Sequence, residues 1–87
     1  METKNKKQEL PAWFNGQVYT HGETVKNPFS GESYHLNNLE LSMYDFIMGA
    51  NHLLERGLTS GKVVVEMRKG LDWFRRNNVE AYFILLD

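Results

Sequence analysis

Apolar positions recur with a helical period from Asn37 to Arg56 (NNLELSMYDFIMGANHLLER), and the rest of the chain is read around that stretch. At about 100° per residue, Leu39, Met43, Phe46, Ile47, Ala50, Leu53 and Leu54 share one arc, the expected core stripe. Asn37 is a good N-cap, and Glu40 three residues on completes the form of a capping box. Leu36 and Leu41 have the spacing of a hydrophobic staple. Arg56, Gly57 and Leu58 mark the end, with Gly57 suited to left-handed backbone and Leu58 to the contact of a Schellman cap. A second apolar line, Leu41, Tyr44 and Met48 at i, i+3 and i+7, lies roughly opposite the stripe, and His52 extends it. One stripe suffices for a surface helix. This helix is therefore expected either to be sandwiched between a sheet and a second helix or to offer its second line to a partner.

A second helix is predicted from about Lys62 to Asn77, capped by Thr59 or Ser60. Val63, Val64, Met67, Gly70, Leu71 and Phe74 share its core arc, with Gly70 placed where another helix can come close. The three valines at 63–65 favour strand, which leaves a short strand before the helix as an alternative. Arg68, Asp72 and Arg76 run along the opposite side at i, i+4 and i+8. A short loop at 59–61 makes the two helices an antiparallel hairpin. The final run, Val79 to Leu86, is expected as a helix capped by Asn78; a buried strand shows the same apolar run.

The N-terminal third reads differently. Residues 1–9 are polar without period and are predicted as a flexible arm, with residues 10–87 as a single domain. Trp13 and Phe14 are expected to lid the core. Gln17-Val18-Tyr19-Thr20 reads as a short strand, Thr24-Val25-Lys26 as an extended continuation, and Glu32 to Leu36 as a returning strand. Between them, Asn27-Pro28-Phe29-Ser30-Gly31 carries turn chemistry: Asn can bond the backbone two residues on, Pro sets φ, and Gly admits positive φ. The expected fold is α+β, a two- or three-stranded antiparallel sheet packed on a helical hairpin, with a short C-terminal helix.

Composition narrows the setting. The 87 residues contain no cysteine, which excludes a disulfide framework and cysteine-ligated zinc. No apolar run approaches the ~18 residues of a membrane span, and METKNKKQEL lacks a signal-peptide core, so a cytoplasm-like setting without membrane partners is expected. Net charge is −1 but uneven. Residues 21–55 set Glu23, Glu32, Glu40, Asp45 and Glu55 against Lys26; residues 56–87 carry a net +2. Two oppositely charged solvated faces account for this, as does self-association or an anionic partner.

Candidate chemistry is thin. Gly57-Leu-Thr-Ser-Gly61-Lys62 has three residues between its glycines where a phosphate loop has four, and Val follows the Lys. His21, His35 and His52 lack metal-ligand spacing, and no Ser, His and carboxylate set stands out, so neither cofactor nor enzymatic activity is expected. Asn27-Pro28-Phe29 matches a short peptide motif read by eukaryotic adaptor domains; here it is read as a hairpin turn with Phe29 packed inward. Trp73, flanked by Lys62, Lys69 and Arg76, lies outside the core arc of the second helix. It is expected to pack under the N-terminal arm or the C-terminal run, to grip a protein, or to stack a base.

Four pieces together resemble a group of small proteins of tailed bacteriophages and environmental viruses. They are Val25-Lys-Asn-Pro-Phe-Ser-Gly-Glu32, Tyr44-Asp-Phe-Ile-Met-Gly-Ala50, Gly70-Leu-Asp-Trp-Phe-Arg75, and Ala81-Tyr82 with Leu85-Leu86-Asp87. The resemblance spans about residues 25–87. It implies a phage protein acting in the bacterial host cytoplasm or within a virion, and it carries over no site residues. Such proteins often have Pro where Val79 stands, which suits the first position of a helix. The expected function is a non-enzymatic interaction protein, a virion or assembly component or a modulator of a host protein. Its expected contact residues are Leu41, Tyr44, Met48, Lys69, Trp73 and Arg76. A nucleic-acid or nucleotide binder using the basic side of the second helix is the alternative, with a small enzyme behind it.

Overall fold

In a computed structural model describing residues 8–57 and 60–86, the elements run β1 (Glu23–Lys26), β2 (Ser33–Leu36), α1 (Asn38–Glu55), α2 (Gly61–Asn77) and α3 (Val79–Leu85). The fold is α+β, as its sequence pattern predicts. The two strands are antiparallel, with Glu23 opposite Leu36 and Lys26 opposite Ser33. A two-stranded hairpin cannot bury enough surface to stand alone. This one leans through β2 on α3 and, less extensively, on α1, and it buries Leu36 completely.

The first helix starts as its caps dictate. The Asn37 side chain accepts from the Glu40 N–H at 2.8 Å, and the Glu40 carboxylate accepts from the Asn37 N–H at 3.0 Å. It stops at Arg56, where Gly57 takes φ +90° and donates its N–H to the Leu54 carbonyl. The expected contact of Leu58, and Thr59 as a cap, lie outside the described residues. Ser60 caps α2, its hydroxyl accepting from the Lys62 N–H, and the valines at 63–65 are helical. Asn78 alone separates α2 from α3. Its N–H closes α2 onto the Phe74 carbonyl, and its side chain caps α3 at the Ala81 N–H. That one residue can end one helix and start the next explains why the C-terminal run is helix rather than strand.

The core gathers Leu36, Met43, Ile47, Trp73, Phe74, Ala81 and Leu85, with Leu10, Trp13 and Phe14 of the N-terminal segment packed against it. At the α1–α2 crossing, a methyl group on Gly70 would stand 3.0 Å from Ile47 and 3.2 Å from Met43. Gly49, also helical, faces open space. The two glycines should therefore respond oppositely. Gly70→Leu is expected to cost about 2–3 kcal/mol through overpacking. Gly49→Ala is expected to gain up to about 1 kcal/mol from helix propensity. Urea unfolding of both variants checks the contrast, and equal behaviour would contradict the crossing geometry.

Four expectations are corrected. Residues 17–20 form no strand, because their backbone is engaged by helix side chains. The Tyr19 N–H donates to the buried Ser42 hydroxyl at 2.9 Å, and the Asn38 amide donates to the Tyr19 carbonyl at 3.3 Å. Residues 8 and 9, assigned by sequence to the arm, are tied to the fold through Gln8 and Glu9. Leu53, assigned to the core stripe, is 39% exposed, because it lies beyond the part of α1 that the core covers. Phe29, expected to pack inward, is 98% exposed at the end of the hairpin.

Candidate functional site

The six residues expected to meet a partner do not form one surface. Trp73 is only 8% exposed, and its indole N–H donates to the Glu9 carbonyl at 2.9 Å. Its place is under the N-terminal segment, so it presents no face for stacking a base or gripping a protein, and both surface readings of Trp73 are corrected. The helical arc identified the side facing α1 but not the side reached by a segment 64 residues earlier. A buried indole needs a partner for its N–H, and the nearby extended segment supplies one.

Lys69 and Arg76 are exposed. The Lys69 ammonium sits 5.9 Å from the Trp13 ring centroid, and Arg76 pairs with Asp72, which also bonds Arg75 at 3.0 Å. The Arg75 hydrogen bond, with help from Arg76, holds the Asp72 carboxyl below its usual range. This part of the basic side is thus engaged within its own helix.

The second apolar line of α1 divides. Leu41 and Tyr44 are half-buried against the core, and burial pushes the Tyr44 phenol up from its ordinary pKa. Met48 is 37% exposed. Covering is complete near the start of the helix and fails toward its end. There an apolar groove of about 460 Å³ opens between α1 and α2, lined by Phe46, Gly49, Ala50, Leu53 and Val63. The Phe46 ring is held by Trp13 and Phe14 in tilted contacts at 5.8 and 5.3 Å.

A larger, more polar cleft of about 790 Å³ lies between β2, the start of α1 and the α2–α3 junction. Glu40 is at its base, 5% exposed. Its carboxylate accepts from the Asn37 N–H, from the Gln8 amide at 2.9 Å and from the Asn78 amide at 3.0 Å. Tyr34 donates to Glu80 at 3.2 Å across the same cleft. These polar groups bind one another, so the cleft works as a joint between the N-terminal segment and two helix starts.

The most exposed aromatic is elsewhere, on the β1–β2 turn. The Asn27 side chain accepts from the Phe29 N–H at 2.8 Å and donates to the Ile84 carbonyl at 2.9 Å. The Gly31 N–H returns to the Asn27 carbonyl at 2.8 Å, with Gly31 at φ +81°. Residues 28–33 are all exposed. Asn27 therefore shapes the turn and pins it to the end of α3, where Phe83 is 59% exposed. Turn chemistry was legible in the sequence; the outward direction of Phe29 was not, because the turn fixes the backbone and leaves the tip beyond the reach of the core.

No described helix is long and apolar enough to cross a membrane. No family model, curated protein or solved structure matches the chain.

Proposed function

We propose that the protein is a non-enzymatic interaction domain that presents Phe29 on a pre-formed turn to a protein partner. In keeping with its resemblance to phage proteins, it would serve as an assembly component or as a modulator of a host protein. The observation that carries this is the near-complete exposure of Phe29 on a turn held by its own hydrogen bonds. A large aromatic left in water contributes nothing to the fold, whereas on a partner it becomes an anchor of the kind that dominates interface energies. Fixing the turn beforehand lowers the ordering cost of binding. Asn27, Pro28 and Gly31 set the shape, and Phe29 supplies the apolar contact.

The test compares capture by tagged wild type, Phe29→Ala and Met48→Ala, with a bacterial lysate and an untagged copy of the chain as prey. Capture is expected with wild type and Met48→Ala and lost with Phe29→Ala, while all three unfold at the same temperature. Capture that is indifferent to Phe29 would sink the reading.

A further inference from the structure

We propose that the groove between α1 and α2 receives Phe29 from a second copy of this chain, so that copies join head to tail. The inference rests on Phe29 being the binding element. It adds the occupant and the site.

The two surfaces match in shape and charge. The tip, residues 26–31, offers one unpacked phenyl ring, and its single charge is Lys26. The groove is an apolar cavity of about 460 Å³ with a firm aromatic wall at Phe46 and an open floor at Gly49, where a Cβ would meet nothing within 4 Å. Its charged lining residues are Asp45 and Glu66, both acidic, which suits an incoming Lys26. The chain's own Phe29 does not fill the groove, since it is exposed. Tip and groove are different surfaces, so each docking leaves a free groove at one end and a free tip at the other. Such a contact closes into a ring or extends as a filament.

The experiment is light scattering with size exclusion on the full chain up to about 1 mM, using knob and hole variants. Phe29→Ala removes the knob. Gly49→Leu fills the hole, and Leu53→Gln is a second groove variant should Gly49→Leu misfold; thermal unfolding verifies each. Wild type is expected to grow in mass with concentration. Each variant alone is expected to stay at the 10.2 kDa monomer. An equimolar mixture of Phe29→Ala with Gly49→Leu is expected to form a dimer of twice that mass and stop, because one partner keeps only a groove and the other only a tip. A wild type that stays monomeric overturns the self-pairing. Assembly lost with Phe29→Ala but kept with both groove variants also overturns it, and leaves Phe29 as an anchor for a different surface. Assembly indifferent to Phe29 overturns both this inference and the function it rests on.

Discussion

Glu40→Ala is expected to destabilise the protein by about 3 kcal/mol or more, because one buried carboxylate joins three parts of the chain. It closes the capping box of α1 through the Asn37 N–H. It holds the Asn78 amide, whose other side caps α3, and it fastens Gln8 of the N-terminal segment. A hydrogen bond to a charged acceptor contributes about 1.5–3 kcal/mol, and donors stranded in a half-buried joint cost more than donors in water. Release of the carboxylate's own desolvation offsets part of this. The remainder is large because the group sits at the positive end of α1, where a carboxylate is favoured. The melting temperature should fall by more than about 10 °C, given about 4–8 °C per kcal/mol for a chain of this size. Glu40→Gln should fall between wild type and Glu40→Ala, since its amide oxygen keeps the cap while its NH₂ faces the Gln8 and Asn78 donors. A loss under about 1 kcal/mol for Glu40→Ala would show that the joint is not what holds these segments.

Gly22→Ala is expected to cost about 3 kcal/mol or more, at the upper end of overpacking effects. A Cβ at Gly22 would stand 2.0 Å from the Leu36 carbonyl oxygen and 2.9 Å from the Asn37 Cα. Both are backbone atoms, so no side-chain rotation relieves the clash. Either the start of β1 or the β2–α1 junction must move. Moving the junction would pull at Leu36, which is fully buried, and at the cap of α1. Chemical denaturation of Gly22→Ala beside Gly16→Ala separates this from a general glycine effect. The neighbour nearest a Cβ at Gly16 is the edge of the Phe14 ring, which can give way. Equal costs would contradict the close backbone approach at Gly22.

Much of the fold was legible because its signals are local. The Asn37–Glu40 capping box, Ser60, Asn78 and Gly57 each act within a few residues of themselves, and each is found where the sequence places it. The Asn27 turn is of the same kind. What was hidden depends on distant segments. Tyr19 reads as a strand residue until its backbone is seen bonded to Ser42 and Asn38 of a helix 20 or so residues away. Trp73 reads as a surface aromatic until Glu9 covers its indole. Glu40 shows its capping role in the sequence, but its bonds to Gln8 and Asn78 join segments 32 and 38 residues apart. For the candidate site, residue type misled. Apolar side chains at 41, 44 and 73 resemble contact residues, yet the fold uses them. Phe29 resembles a core residue, yet the fold leaves it out.

The central claim, that Phe29 belongs to binding and not to folding, is tested most directly by measuring unfolding and association on the same Phe29→Ala protein. The expected result is a stability within about 0.5 kcal/mol of wild type, as for a surface substitution. Affinity for the captured partner, or for a second copy, should fall at least about 30-fold, the loss of an anchor contributing about 2 kcal/mol. A variant that unfolds early, or one that binds as wild type does, would contradict the claim.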